Sequence, residues 1–451
     1  MKPMWSRRDL LRVSALLGGA ALVGCSNPEQ GVEPSPSEAL AEKATGREAI
    51  QDASKPSGEE PRMADASEPP GVEEAVVEEA SPETGPEAVS DTSTSCPDPF
   101  AGGKMLGLVP FINEGGRPMD TLYGKGWDGR LYTDLSDLTA DNLILSNDEF
   151  FVRTRYPDQI DPNKPWSIEL GGLVEKPVSL SMDDITPLVK PMGTVLLECS
   201  GNGKGGRFGL LGAANWSGVP VEKVLAKVKP KSQATRVLIS GFDKHSTPST
   251  HSTPGASWTF TLDELKQYGA FLATQMNGVP LPKDHGFPIR LIMPRWYGCT
   301  NIKWVDSIRW VDDSEPSTAQ MKEFASRTHQ VGVPRLAKDY KPAVIDQTAM
   351  PLRVEKWEVQ GKIRYRVVGI MWGGNKISTD LVIRFGSRES YQPVQVCPVP
   401  TSNDTWSLWS HPWYPATQGS YSIQMQISDT TVPKKRLDSG FYIRQVKVDQ
   451  V

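Results

Sequence analysis

One cysteine stands where a thiol could do chemistry. The run Val195-Leu196-Leu197-Glu198 leads into Cys199, and residues 199–209 then hold five glycines. Glycines let a backbone approach a ligand closely and turn successive N–H groups toward an anion. A thiolate there suits a soft or high-valent transition metal, which would itself deprotonate it. The same residue could equally be a redox nucleophile or an inert structural cysteine. The other cysteines are Cys25, Cys96, Cys299 and Cys397. None forms a CxxC or CxxCH pair, so neither a zinc knuckle nor covalent c-type haem is written here.

Further segments gather around that loop in chain order. Gly212-Ala213-Ala214-Asn215-Trp216-Ser217-Gly218-Val219-Pro220 follows it closely. Downstream come Met276-Asn277-Gly278-Val279-Pro280-Leu281-Pro282-Lys283-Asp284-His285-Gly286-Phe287-Pro288-Ile289-Arg290 and Asn301-Ile302-Lys303-Trp304-Val305. With the upstream CxGN loop, their order and spacing resemble the sulfite oxidase family of molybdopterin enzymes, closely over residues 147–312 and loosely to the C-terminus.

The resemblance implies a molybdenum–molybdopterin cofactor, with Cys199 as the one protein thiolate on the metal. It implies that His285, Arg290 and Lys303 hold the anionic pterin phosphate, with Phe151, Arg153 and Ser257 also on the cofactor. Arg153, Lys204 and Lys376 would face the substrate, and Trp296 and Tyr297 would shape its pocket or serve in packing. It implies two-electron oxygen-atom transfer to sulfite or a related sulfur compound, an external electron partner such as a cytochrome, and a homodimer. No haem is expected.

The chain departs from the family pattern around the substrate. The second arginine of CxGNRR is replaced by Lys204, and the C-terminal arginine by Lys376 or Asn375 in Trp372-Gly373-Gly374-Asn375-Lys376. No tyrosine occurs in Asp312-Asp313-Ser314-Glu315-Pro316-Ser317-Thr318, where the family carries one. Lysine keeps the charge and loses the bidentate fork. The alternative functions are therefore reduction of a neutral S-oxide or N-oxide on the same cofactor, or a surface lipoprotein without catalysis. Joint retention of Cys199, His285, Arg290 and Lys303 argues against the last.

The elements that must position these residues fall into four parts. Residues 1–25 have a basic head with Arg7-Arg8 and an apolar run too short to span a bilayer. Ser6–Leu11 resembles a twin-arginine export signal and Leu22-Val23-Gly24-Cys25 a lipobox. Together they imply an exported, periplasmic protein anchored by lipid at Cys25, with the outer membrane favoured by Ser26. Residues 26–98 hold 18 acidic and 4 basic residues and almost no large apolar ones, so they read as a disordered acidic tether. Removing that −14 and the +3 of residues 1–25 from the whole-chain −5 leaves +6 for residues 99–451. Such a mild excess suits an anionic cofactor and is too weak to argue for nucleic acid.

Residues 99–334 mix strand-like runs (FFVRTRY, WSIELGGLV, RVLISGF, FLATQMNG, PIRLIMP) with helix starts at 180–185 and 219–225. They read as an α+β molybdopterin domain. Residues 335–451 hold PLRVEKWEVQG, KIRYRVVGIMW, DLVIRFG, SYSIQMQISD and GFYIRQVKV between turn residues, which reads as an all-β immunoglobulin-like sandwich. An oxidising compartment allows a disulfide among Cys96, Cys299 and Cys397, and the sequence decides neither its presence nor the pair. There is no internal repeat.

Overall fold

The computed structural model describes residues 96–451. The export signal, the lipid cysteine Cys25 and nearly all of the tether lie outside the described residues.

The first part is built on two five-stranded sheets. In one, Arg236–Gly241 and Val305–Val311 lie side by side, flanked by Ser257–Thr261 and by Ser167–Gly172, the last pairing parallel to Val305–Val311. In the other, Lys190–Glu198 pairs antiparallel with Leu211–Pro220, which continues to Phe271–Met276 and Arg290–Ile292. The helices are short. Met182–Ile185 and Leu262–Gln267 are each opened by a reciprocal cap, Ser181 with Asp184 and Thr261 with Glu264. Val221–Leu225 starts directly after Pro220. Thus strands dominate a region expected to mix the two more evenly, and FFVRTRY contributes only Val152–Arg153 as strand.

The C-terminal part is two antiparallel-paired sheets around a shared core. Lys362–Trp372 is central in one, paired with Thr348–Val359 and Ser407–Trp413. Its side chains alternate between two cores. Tyr365, Val367 and Met371 point into the core between the two C-terminal sheets. Val368, Ile370 and Trp372 join the core of the first part. Burial on both faces explains the nearly unbroken apolar run VVGIMW and fuses the two parts along this sheet.

Two boundaries differ from expectation. Lys104–Val109 pairs with Thr348–Val359, and Phe111–Ile112 pairs with Arg444–Val448. Residues 104–112, expected in the molybdopterin domain, therefore complete the edges of the C-terminal sheets. The tether also ends earlier than residue 98. Cys96 is bonded to Cys397, Asp98 pairs with Arg366 at 2.8 Å, and Phe100 is buried. Among the described residues Cys199 and Cys299 are the free cysteines.

Candidate active site

The Cys199 loop is the connection of a β-hairpin. Glu198 and Leu211 are the last paired residues of its strands, and the Cys199 amide closes the mouth on the Leu210 carbonyl at 3.0 Å. Asn202 braces the loop, its amide donating to the Cys199 carbonyl and its side-chain oxygen accepting from the Leu210 amide. The buried Cys199 sulfur accepts from the Gly201 amide at 3.4 Å. Two of the five glycines, expected to clear room for a ligand, clear room for protein. A Cβ on Gly206 would stand 2.0 Å from the Tyr132 ring, and one on Gly209 2.6 Å from the Thr133 carbonyl.

Cys199 lines a cleft with about 950 Å³ of open space, its mouth included. Phe151, Arg153, His285, Arg290 and Lys303 line it too, so six predicted residues meet in one place. Arg290 is 5% exposed and spends two nitrogens on the His285 and Asn301 carbonyls, at 2.9 and 3.2 Å. Its Nε has no partner, and burial holds its pKa down to about 9. A buried guanidinium with a spare donor and no carboxylate partner among the described residues calls for an anion.

Lys303 is committed differently. Its ammonium donates to the carbonyls of Arg153, Thr154 and Asp284 at 3.1, 2.5 and 2.9 Å. These bonds consume all three protons and pin the Arg153 turn, where Thr154 has φ 74°. Burial, and then the charge of Arg290, push the Lys303 pKa well below its ordinary value. His285 also departs from the expected part. Its Nε2 faces the Asn147 carbonyl at 3.0 Å, so that nitrogen carries the proton and donates. Burial, then Lys303 and Arg290, hold its pKa down to about 3, so it is neutral and offers Nδ1 as an acceptor. It adds no positive charge for a phosphate.

Arg153 donates to the Trp127 carbonyl and to the hydroxyls of Thr154 and Ser252, each at 3.0 Å. It is the cross-strand partner of Arg130, a buried arginine that the sequence did not single out. Burial, then Arg153, hold the Arg130 pKa down to about 10. Arg153 is also lowered, first by burial, while the nearby Cys199 thiolate opposes that shift. Asp128 pairs with Arg130 at 3.8 Å, and of the two arginines Arg153 is the one that lines the cleft with Cys199.

Three expected site residues lie outside the cleft, and Trp296 and Tyr297 take the packing alternative. Lys204 sits in the short turn Lys204–Gly206 and does not line the cleft. Lys376 is exposed and pairs with Asp429 at 2.5 Å on the C-terminal sandwich. The Ser257 hydroxyl turns back to the Gly255 carbonyl, while Ser252, Thr253 and Ala256 of the preceding loop reach the cleft. Trp296 is a core residue against Phe260 and Tyr268, and Tyr297 is buried beneath the Arg436 guanidinium; neither lines the cleft.

Behind the loop, Glu198 is fully buried. It accepts from Trp372 Nε1 at 2.9 Å and the Tyr442 hydroxyl at 2.8 Å, with Arg436 at 3.5 Å. All three partners come from the C-terminal part, so the residue before Cys199 is held by the sandwich.

The donor set bears on which metal centre could fit. Among the described residues no three His, Cys, Asp or Glu side chains cluster to hold a metal ion. Cys199 therefore suits a metal that brings other ligands with it, as a dithiolene pterin does. Arg290 supplies an unspent donor for the anionic end of such a cofactor. The residues present fit the group.

The sequence profile of the oxidoreductase molybdopterin binding domain matches residues 153–319. The chain is 29% identical over 223 residues to mitochondrial sulfite oxidase of Macaca fascicularis, covering 46% of this chain and 40% of that protein. It is 26% identical over 341 residues to mitochondrial sulfite oxidase of Drosophila melanogaster, covering 70% and 57%. It is 29% identical over 265 residues to the NADPH nitrate reductase of Fusarium oxysporum, covering 54% and 27%. The chain thus spans well under two thirds of each of these relatives. Its fold is similar to a crystal structure of the sulfane dehydrogenase SoxCD from Paracoccus pantotrophus, with TM-score 0.56 and 18% identity over 82% of this chain and 96% of that one.

Proposed function

The chain belongs to the sulfite oxidase family of molybdopterin-dependent oxidoreductases, and on that premise we propose that it oxidises sulfite or a related sulfur oxyanion and passes the electrons to an external acceptor. The observation that carries this reading is the meeting of the Cys199 thiol with Arg153 in the cleft that also holds the orphaned Arg290 donor. Positive charge at the thiol face favours an anionic substrate over a neutral S-oxide.

When bound, the molybdenum cofactor supplies oxygen-atom transfer and takes up two electrons. The chain's own residues do the rest. Cys199 gives the metal its protein thiolate from a loop fixed by Asn202. Arg290 takes the anionic end of the pterin, and Lys303 holds the Arg153 turn in place for it. Arg153 offsets negative charge where substrate enters, in a cleft walled by Phe150, Phe151 and Trp127 that limits competing water.

We place the protein on the periplasmic side, anchored by lipid at Cys25, with a cytochrome-like acceptor and an immunoglobulin-like C-terminal sandwich that pairs two copies. The Cys96–Cys397 disulfide supports an oxidising compartment. The test is elemental analysis and sulfite-dependent reduction of an artificial one-electron acceptor by protein made in a cofactor-competent host. About one molybdenum per chain with turnover in wild type, and loss of both in Cys199→Ser, is the expected result. Molybdenum without sulfite turnover would refute the substrate, and no molybdenum in the wild type would refute the reading.

A further inference from the structure

Lys204 and Lys376 lie away from the cleft, so charge on the open side of Cys199 must come from elsewhere. Besides Arg153, one source is a residue beyond the matched domain and outside the cleft lining. A Cβ built on Gly201 would stand 3.4 Å from Arg327 Nη1 and 3.7 Å from Cys199 Sγ. Laid end to end, those distances bound the guanidinium nitrogen within about 7 Å of the sulfur. Gly201 leaves the space between them free of a side chain.

Arg327 is held in that position by its backbone. It follows Phe324, which lines the cleft, and its guanidinium lies over the Phe324 ring at 5.5 Å. One nitrogen of Arg436 donates to both the Arg327 carbonyl, at 3.1 Å, and the Ser200 carbonyl, at 2.7 Å. A single clamp therefore ties the Arg327 turn to the Cys199 loop. Arg436 is itself fixed by Glu198 and by stacking on Tyr297. Among the described residues the Arg327 guanidinium makes no hydrogen bond or ion pair, although Asp346 and Glu198 serve its neighbours His329 and Arg436. An exposed arginine with an unspent fork, anchored by its main chain beside a thiol, is available to a ligand. The Arg153 charge also feels Arg327, which places both in one electrostatic field.

We propose that Arg327 is a substrate-binding residue, its planar fork taking two oxygens of a sulfur oxyanion at the open face of Cys199 and so selecting anions over neutral oxides. This rests on the functional reading above and deepens it by naming what recognises the substrate. The fork matters as well as the charge, because a lysine cannot bind two oxygens in one plane.

The test uses the full-length holoenzyme as wild type, Arg327→Gln, Arg327→Lys and a surface control, Lys341→Gln. Molybdenum content, sulfite kinetics and calorimetric binding of sulfate at low ionic strength are measured for each. Expected for Arg327→Gln is a rise in KM of about tenfold to a hundredfold, in line with loss of charge-assisted hydrogen bonds. Its kcat should change less than about threefold, its molybdenum should stay at wild-type level, and its sulfate binding should weaken by the same factor as KM. Arg327→Lys should fall between, and Lys341→Gln should match wild type. Unchanged KM and sulfate affinity in Arg327→Gln would overturn the proposal while leaving the sulfite reading intact. Loss of molybdenum from both Arg327 variants would also overturn it, assigning Arg327 to cofactor retention. If wild type fails to turn over sulfite, the sulfite reading falls, and sulfate binding alone decides Arg327: Arg327-dependent binding supports the proposal, and no binding overturns it.

Discussion

Glu198→Gln should loosen the seam behind the thiol. The carboxylate is 0% exposed, and its acceptors serve Trp372 Nε1 and the Tyr442 hydroxyl while Arg436 balances its charge. Burial works against the Arg436 charge, yet Glu198, with Tyr297 and Tyr442, outweighs it and raises the Arg436 pKa. Glutamine keeps the shape. Its oxygen can accept from Trp372 and its NH2 can donate to the Tyr442 oxygen, so the hydrogen bonds are largely remade. The loss is mainly the charge that offsets Arg436, and removing one member of a buried pair costs about 3–5 kcal/mol. Remade bonds place the expected loss near the lower end, about 3 kcal/mol. Trp372→Phe removes one donor to the same carboxylate and should cost about 1.5–3 kcal/mol. Because both act through Glu198, the double variant should lose less than the sum by more than about 1 kcal/mol. Urea unfolding of the full-length chain, followed by circular dichroism, measures all three. Losses that add within about 0.5 kcal/mol would show that Trp372 and Glu198 do not share an energy term. That result would refute the argument that the sandwich holds the Cys199 strand.

Three other outcomes are expected. Arg290→Met removes the guanidinium that lies over the Trp216 ring, its bonds to the His285 and Asn301 carbonyls and the orphaned donor; molybdenum per chain should fall below about a tenth of wild type at limiting cofactor, a tenfold loss of affinity corresponding to about 1.4 kcal/mol, and full loading would refute an anion role. Asp306 has its pKa raised by burial to about 6, against about 3.9 in an unfolded chain. Its stabilising contribution is therefore full below about pH 4 and lost as pH rises through 6. Asp306 is partly exposed, so Asp306→Asn should gain about 1 kcal/mol relative to wild type between pH 4 and pH 7.5; a constant difference across that range would refute it. Cys96→Ser opens a bond spanning 301 positions and should cost about 2–4 kcal/mol in urea unfolding under non-reducing conditions, with no further loss on adding reductant.

The sequence was most legible where chemistry and local structure coincide. Cys199, Arg290 and Lys303 lie in or beside strands whose apolar runs announce them, and their motif spacing brought them to one cleft. The residues that went astray share a physical cause. Lys204 follows the cysteine in a loop, and no periodicity tells which way a loop side chain turns; here two of the loop's glycines pack against Tyr132 and Thr133. Lys376 lies just after Gly373 and Gly374, both at positive φ, and the chain there turns toward Asp429. The strand Lys104–Val109 could not be assigned to the C-terminal sheet because its partner is some 250 residues away, and a lone strand carries no record of its neighbour.

Arg130, Arg327 and Arg436 show why the substrate side was the hardest to read. Arg130 comes beside Arg153 only because a two-residue strand pairs them. Arg327 and Arg436 lie 109 positions apart, and one hydrogen bond joins them across the seam of the two parts. The cofactor-side residues each stand inside a distinctive local segment, CSGN around Cys199, DHGFPIR around Arg290 and NIKWV around Lys303, so they can be read one segment at a time. The substrate side needs only positive charge at one point in space, and guanidiniums on different elements can supply it. The lysines at the expected positions are thus poor evidence for a less positive pocket. On the proposed reading, Arg327 supplies from another element the charge that Lys204 does not bring to the cleft.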